Sequence, residues 1–238
     1  MKNIYQEILN SKSTGKKLLA ILIDPDKIQL DKLHNLIDKI NHSPATHIFT
    51  GGSLVESNHI DFIIQEIKKK SPLPILLFPG NPSQITKYAD GILFLNLISG
   101  RNPDYLIEHQ VNAVPILEKT DLEIISTGYI LVENGKETAV ERISQTKPLS
   151  RNNIDYVYQT AKAGEYMGNK LIYLEAGSGA EKAIPLEMIE KVSKKLTIPL
   201  IVGGGIKSKI EIENAFKAGA DLVVIGTAFE NNSNFFEA

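Results

Sequence analysis

The apolar residues of this chain fall into short runs that alternate with segments of helical spacing. Leu18–Ile23 is a continuous apolar run bounded by Lys17 and Asp24, which is typical of a parallel strand covered on both faces. Residues 27 to 41 follow with apolar side chains at helical intervals. Further apolar runs lie near residues 48, 75, 92, 125, 171, 200 and 222, mostly separated by helical segments. About eight strands interleaved with helices predict a (β/α)8 TIM barrel, with a doubly wound open sheet as the alternative.

Two stretches depart from this regular alternation. Between residues 78 and 91, the prolines and glycine of residues 79 to 82 leave little room for a helix. The helix after the third strand is therefore predicted to be missing or reduced. Later, the turn signal Asn134-Gly135 follows a long strand-like run over residues 123 to 132 and predicts an extra hairpin on the barrel rim.

Composition and charge narrow the class of protein. The chain has 238 residues, is 42% hydrophobic and shows no linker, so a single barrel unit over residues 1–238 is expected. A formal net charge of -2 gives no global field that would favour nucleic acid or anionic lipid. The absence of cysteine excludes disulfides and thiolate metal sites. Because the N-terminus lacks a signal-peptide pattern and no long apolar stretch occurs, we expect a cytoplasmic protein.

Two apolar runs near the C-terminus end in glycines. Gly203, Gly204 and Gly205 follow the seventh predicted strand, and Gly226-Thr227 follows the eighth. Glycine lets backbone N–H groups approach an anion closely, and a helix that begins just afterwards adds its positive dipole. The two glycine turns together predict a phosphate site.

Polar side chains follow the first two predicted strands, at the end where barrel enzymes hold their catalytic groups. Asp24 and Asp26 come after the first strand, and Ser53 comes after the second. Mg²⁺ commonly takes one or two carboxylates and completes its shell with water and substrate phosphates. Asp24 is therefore the predicted metal ligand. Ser53 is a second ligand or a helix cap, and Asp26 is expected to cap the helix near Lys27.

Glu175 follows the sixth predicted strand beside a glycine-rich turn. A carboxylate there can accept the proton of a hydroxyl group or hold that group by a hydrogen bond, while an ion pair at the rim is the structural alternative. Tyr173 supports the same ligand or fills the barrel core. The five histidines lack zinc-ligand spacing and are interpreted as structural. Ser178 has no nucleophile-elbow motif around it, so covalent catalysis is not expected.

Five segments of the sequence carry a resemblance that spans almost the whole chain. They are residues 22–27 (LIDPDK), 50–53 (TGGS), 173–179 (YLEAGSG), 202–206 (VGGGI) and 225–227 (IGT). Together they resemble the geranylgeranylglyceryl phosphate synthase family, which includes the bacterial heptaprenylglyceryl phosphate synthases. The segment over residues 173–179 is the most specific of the five.

The resemblance implies a Mg²⁺-dependent prenyltransferase of lipid biosynthesis. Such an enzyme joins a polyprenyl diphosphate, here expected to be geranylgeranyl diphosphate, to the sn-3 hydroxyl of sn-glycerol 1-phosphate and releases diphosphate. By the family's roles, Asp24 and Ser53 would bind Mg²⁺, and Glu175 would orient or deprotonate the hydroxyl. The glycerol phosphate would contact Tyr173, Leu174, Glu175, Ala176, Gly177, Ser178 and Gly179, and its phosphate Gly203, Gly204, Gly226 and Thr227. The family's barrel also lacks its third helix, and oligomers and transient membrane contact through the lipid substrate are expected.

One departure from the family pattern concerns the binding of the prenyl diphosphate, the donor substrate. Many members carry lysine two places before the metal-binding aspartate, where this chain has Leu22. We hypothesise that Arg101 partly replaces this cation, since a guanidinium can form bidentate hydrogen bonds with diphosphate oxygens. A longer heptaprenyl donor is one alternative for the function. A sugar-phosphate isomerase or aldolase barrel and a non-catalytic phosphate-binding barrel are the others.

Overall fold

The strands of this protein close into a parallel barrel. The computed structural model describes residues 3–52, 59–232 and 234–236. Its strands pair in chain order from β1 to β8, and β1 pairs with β8 to complete the circle. They are Leu18–Ile23 (β1), His47–Thr50 (β2), Ile75–Leu77 (β3), Gly91–Leu97 (β4), Glu123–Leu131 (β5), Leu171–Glu175 (β6), Leu200–Gly203 (β7) and Leu222–Ile225 (β8). The predicted TIM barrel is confirmed, and the open sheet is excluded.

Helices surround the barrel. They are Ile4–Thr14 (α1), Leu33–Asn41 (α2), Ile60–Lys70 (α3), His109–Leu117 (α4), Ala139–Ser144 (α5), Ile154–Tyr166 (α6), Leu186–Ser193 (α7), Lys209–Ala218 (α8) and Thr227–Asn231 (α9). A π-helical turn, Asp104–Glu108, leads directly into α4. In the part of the chain that the structure describes, none of the helices has the length and apolar character needed to cross a membrane.

The helix after β3 is reduced to one 3-10 turn, Pro82–Gln84, as the sequence predicts. This turn supports the loop after β2. The buried side-chain amide of Gln84 donates to the Gly52 carbonyl at 2.9 Å and accepts from the Gly52 N–H at 3.3 Å. The shortened connection therefore fixes backbone at the C-terminal end of the strands.

Side chains alternate between two buried layers along each strand. Those facing into the barrel, such as Phe49 and Tyr173, form one apolar cluster. Those facing outward, such as Ile48 and Leu174, pack against the helices in a second cluster. This alternation follows from the two-residue period of a strand. It decides which residues at a strand end can face a ligand in the barrel mouth.

Helix α1, which the sequence pattern did not predict, closes the N-terminal end of the barrel. Ile4 and Ile8 are fully buried in the inner apolar cluster. The carboxylate of Glu123, at the start of β5, accepts from the first N–H groups of α1. Lys12 forms a 3.0 Å ion pair with Asp221, which precedes β8. With this end closed by α1, the described residues leave the opposite end of the barrel open to a ligand.

The hairpin expected at Asn134-Gly135 is absent from this described segment, so that prediction is wrong. The chain instead turns into α5, whose N-cap is Thr138. The Thr138 hydroxyl accepts from the Glu141 N–H at 3.1 Å. A threonine followed three residues later by glutamate is a helix-start signal, and it outweighs the turn dipeptide here.

The cap expected from Asp26 is also a wrong prediction. Asp24 is the N-cap, since its carboxylate accepts from the Asp26 N–H at 3.2 Å. The segment it caps is a 3-10 turn, Pro25–Lys27, and the α-helix begins only at Leu33. Asp24 therefore combines a structural role with its position at the barrel mouth.

Candidate active site

A cleft of about 750 Å³ opens at the C-terminal end of the strands. It brings together the turns after β1, β6, β7 and β8, which lie far apart in the sequence. The sequence-predicted residues that line it are Asp24, Tyr173, Glu175, Gly177, Ser178, Gly179, Gly204, Gly226 and Thr227. Their common location follows from the parallel barrel, in which the carboxyl ends of all strands meet at one rim.

The other predicted contacts, Leu174, Ala176 and Gly203, do not line the cleft. The Leu174 side chain belongs to the outer cluster, because its neighbours Tyr173 and Glu175 face inward. The Ala176 N–H donates to the Gly203 carbonyl at 3.0 Å. These positions therefore support the floor of the cleft. Ser53, the second predicted metal ligand, lies outside the described residues.

The glycine turns bring the ends of β6 and β7 into direct contact. Gly204 has a φ of +81°, and a Cβ there would lie 2.3 Å from Glu175 Oε1 and 2.6 Å from the Gly177 nitrogen. Only glycine fits this position without moving backbone. On the β8 side, the Ser178 and Thr227 hydroxyl oxygens lie 3.4 Å apart. Backbone and hydroxyl groups from three strand ends thus surround one part of the cleft.

Asp24 lies at another part of the cleft, beside charged residues that the sequence reasoning missed. Lys27 Nζ is 3.3 Å from Asp24 Oδ2 and 3.2 Å from Glu230 Oε2. Gly52 lies close by, since a Cβ there would be 3.3 Å from Asp24 Oδ1. Lys27 belongs to a segment already singled out in the sequence. Nothing in the sequence pointed to Glu230, whose position depends on how α9 packs.

Glu175 is the most perturbed carboxyl group of the site. Its side chain is only 5% exposed, and the Gly177 N–H donates to its Oε1 at 2.6 Å. Burial raises the pKa of Glu175 to about 7, against the lowering effect of the Gly177 N–H and the nearby Tyr173 hydroxyl. The Tyr173 hydroxyl is close, but it lacks hydrogen-bond geometry to any described residue. The Gly177 N–H is therefore the bond that holds the carboxylate, and a pKa near 7 suits a general base.

A narrow apolar cavity of about 90 Å³ adjoins the cleft. It lies where the helix after β3 is reduced, and the sequence reasoning did not predict it. The residues that line both the cavity and the cleft are Gly52, Phe78, Tyr129, Val140 and Ile143. The Phe78 ring stacks on Tyr173 with a centroid distance of 5.3 Å. An apolar ligand group in the cavity would therefore reach the cleft next to Tyr173 and Glu175.

Arg101 does not reach this site. Its guanidinium donates to the Ile98 carbonyl and to the Tyr156 hydroxyl, both at 3.3 Å, and it does not line the cleft. The hypothesis that Arg101 replaces the missing lysine has no support in the geometry. Leu22 does line the cleft. The basic side chains among the described lining residues are Lys27, Lys136, Arg142 and Lys207.

The fold and the site define a class of protein: a TIM barrel with glycine turns on its last strands, of the kind suited to a phosphate group, beside a buried carboxyl group. A match to a known family narrows this class of protein further. The sequence model of the PcrB family matches residues 12–238, and the chain belongs to this family.

Individual relatives agree with this family. A geranylgeranylglyceryl phosphate synthase from Flavobacterium johnsoniae is 62% identical over 238 residues, covering 100% of this chain and 98% of that protein. One from Pyrococcus abyssi is 38% identical over 226 residues, covering 94% and 89%. The crystal structure of (S)-3-O-geranylgeranylglyceryl phosphate synthase from Thermoplasma acidophilum, in complex with substrate sn-glycerol-1-phosphate, gives a TM-score of 0.93 at 30% identity. That match covers 100% of this chain and 96% of the other. The resemblance expected from the sequence is confirmed.

Proposed function

We propose that this protein is a prenyltransferase that joins a prenyl diphosphate, with geranylgeranyl as the favoured donor, to the sn-3 hydroxyl of sn-glycerol 1-phosphate. One observation carries the proposal. Glu175, a carboxyl group with a pKa of about 7, lies between the glycine turns and the wall of an apolar cavity. A phosphorylated acceptor and an apolar donor would therefore meet at this group. The names of the relatives and the acceptor bound to the Thermoplasma acidophilum enzyme support the same reaction.

The acceptor's phosphate fits the glycine turns. Backbone near Gly204 and Gly226 and the hydroxyls of Ser178 and Thr227 offer uncharged donors at the rim. With its phosphate there, the acceptor would present its free hydroxyl to Glu175. Glu175 then accepts a hydrogen bond from the hydroxyl or takes its proton as the new bond forms. Holding the two reactants in this geometry is itself a large part of such catalysis.

The apolar cavity is the side of the site suited to the donor's prenyl chain, and the donor's diphosphate would lie toward Asp24. In the reaction, the bond between the prenyl C1 and the diphosphate oxygen breaks, and diphosphate leaves with the electron pair. The acceptor oxygen forms the new bond to C1, and its proton passes to Glu175 or to solvent. Phe78 and Tyr173 line the junction through which C1 must approach. Because the cavity holds only about 90 Å³, its walls would have to separate for a long prenyl chain to enter.

A magnesium ion fits the acidic side of the cleft. Among the described residues, no three histidine or acidic side chains cluster as a ready-made metal cage. Mg²⁺ characteristically uses one or two carboxylates together with substrate phosphates, and Asp24 provides one such carboxylate. Asp24, with Ser53 as the second ligand expected from the sequence, would hold the ion. When bound, Mg²⁺ neutralises the charge that develops on the leaving diphosphate.

The test is a direct assay of transfer. The purified protein is incubated with radiolabelled sn-glycerol 1-phosphate, Mg²⁺ and geranylgeranyl or heptaprenyl diphosphate, and extractable label is counted. Label in the lipid phase that requires the prenyl diphosphate and disappears with a chelator would support the proposal. Turnover of sugar phosphates without prenyl transfer would instead indicate the isomerase or aldolase alternative. The oligomer, the transient membrane contact and the cytoplasmic location remain predictions.

A further inference from the structure

The Ala176–Gly177 peptide group is held by a buried side chain from the neighbouring strand connection. Asn134, after β5, is only 1% exposed, and its Nδ2 donates to the Ala176 carbonyl at 2.7 Å. Its Oδ1 faces the Lys136 N–H at 3.4 Å. With Oδ1 facing a donor and Nδ2 facing an acceptor, the orientation of the amide follows from its partners.

A second contact holds the same peptide from the side. A Cβ at Gly177 would lie 2.3 Å from Thr138 Cγ2, so the backbone there packs directly on this side chain. Thr138 is buried and fixed in turn as the N-cap of α5. Gly177 has a φ of +101°, a conformation that glycine adopts without strain. The turn after β6 is therefore held in place by the segment between β5 and α5.

The two ends of this peptide group face different partners. Its carbonyl oxygen accepts from Asn134, and its N–H, on Gly177, donates to Glu175 Oε1 at 2.6 Å. Because a peptide group is planar and rigid, fixing the oxygen also fixes the direction of the N–H. A hydrogen bond to the carbonyl also polarises the group and strengthens the bond that its N–H donates.

We infer that Asn134 is a positioning residue, which orients the Ala176–Gly177 peptide so that its N–H holds the carboxylate of Glu175 toward the cleft. The inference rests on the proposed function for its effect on turnover. Other titratable groups that face Glu175 are Tyr129 from β5 and Tyr173 from β6. Burial raises the pKa of both hydroxyls well above the ordinary value, so both are neutral near pH 7. Neither tyrosine adds charge, so the Gly177 N–H and the nearby Tyr173 hydroxyl are what favour the ionised carboxylate, and the Gly177 N–H has the larger effect.

The experiment compares Asn134→Ala and Asn134→Leu with wild type. Leucine keeps much of the volume but cannot donate to the Ala176 carbonyl. We expect the pH at which kcat/KM reaches half its plateau to rise by about one unit in both variants, the scale of one weakened hydrogen bond to a charged group. At pH 7 the ionised fraction of Glu175 would then fall from about one half to about one tenth, so the expected loss in kcat/KM is roughly fivefold. A ¹³C NMR titration of the Glu175 carboxyl carbon, assigned from its absence in Glu175→Gln, should show the same shift.

A matched control is Asn169→Ala. Asn169 is also a buried asparagine, but it precedes β6 at the opposite end of the barrel, where its amide donates to Asn96 and Ser126. This variant should lose stability and keep the wild-type titration. An unchanged Glu175 midpoint in a folded Asn134 variant, or an equal shift in Asn169→Ala, would overturn the inference. If wild type transfers no prenyl group, the proposed function fails, whereas the NMR titration still tests Asn134.

Discussion

His47 at the closed end of the barrel and Glu175 at the open end are both buried ionisable side chains, and burial has opposite consequences for them. At the end closed by α1, His47 is 3% exposed, and burial together with nearby Lys16 lowers its pKa to about 4. At the open end, burial raises the pKa of Glu175 to about 7. Both shifts favour the neutral form, as expected for groups removed from water. Near pH 7, His47 is therefore fixed in one state, whereas Glu175 can exchange a proton with a ligand in the cleft.

The largest expected effect is a loss of stability when the core of the closed end is disturbed. Ile8→Ala removes a fully buried side chain of the closed end and should lower the free energy of unfolding by roughly 2–5 kcal/mol in urea denaturation. Ile210→Ala, at a residue that is 68% exposed, is the control and should change it by less than about 0.5 kcal/mol. We expect the KM for glycerol 1-phosphate to stay unchanged in both. A large rise in KM for Ile8→Ala would show that the closed end shapes the site.

The second effect is acid sensitivity at the closed end. Because the folded-state pKa of His47 lies below its ordinary 6.5, its contribution to stability is complete above pH 6.5 and is lost as the pH falls toward 4. The loss should reach about 3 kcal/mol for this histidine. His47→Leu should remove that part of the pH dependence in denaturation curves recorded from pH 4 to 7. Identical pH slopes in wild type and variant would contradict the assignment.

The third effect concerns turnover at the open end. Glu175→Gln keeps the shape and the partner of the Gly177 N–H but cannot accept a proton. We expect kcat to fall about 100-fold, equivalent to about 2.7 kcal/mol, with little change in the KM for glycerol 1-phosphate. Steady-state kinetics at pH 8 measure both. A folded variant with near wild-type turnover would reject Glu175 as the base, since glutamine can still orient the hydroxyl by a hydrogen bond.

The same variant also tests how the Glu175 carboxyl group affects stability. The change of stability with pH should have the opposite sign to that of a carboxylate in an ion pair. Because the folded-state pKa of Glu175 lies above the ordinary value, the protonated carboxyl favours folding below pH 4.5, and this advantage is lost as the pH rises through about 7. Glutamine does not ionise, so Glu175→Gln does not lose this stability and should become more stable than wild type as the pH rises. Equal stabilities at pH 8 would show that the carboxylate is well solvated.

The smallest expected effect is at Arg101. Since its guanidinium is held away from the cleft by the Ile98 and Gly100 carbonyls and by Tyr156, Arg101→Ala should leave the KM for the prenyl diphosphate within about twofold of wild type. Arg142→Ala, at a basic residue that does line the cleft, is the comparison. A severalfold rise in KM for Arg101→Ala alone would restore the hypothesis that it replaces the cation absent at Leu22.

What the sequence could predict depended on how local each signal was. The apolar runs, the glycines after β7 and β8 and the acidic residues after β1 are local patterns, and they led to the barrel, to the glycine turns of the cleft and to Asp24. The outward direction of the Leu174 side chain could also have been predicted, because strand alternation places it opposite Tyr173 and Glu175. The raised pKa of Glu175 depends on burial by several strands, which no local pattern reports. Glu230 and Lys136 reach the cleft only through the packing of α9 and of the segment before α5.

The long-range contacts that hold α1 have a consequence for the order in which the chain folds during synthesis. Lys12 and its partner Asp221 are 209 positions apart, and Glu123, which caps the same helix, lies midway along the chain. At translation rates of about 5–20 residues per second, the ribosome needs on the order of 10–40 s to make the intervening chain. During that interval Ile4 and Ile8 have no barrel interior in which to be buried. Helix α1 is thus synthesised well before the residues that hold it, and its apolar face has nowhere to be buried until β8 has been made.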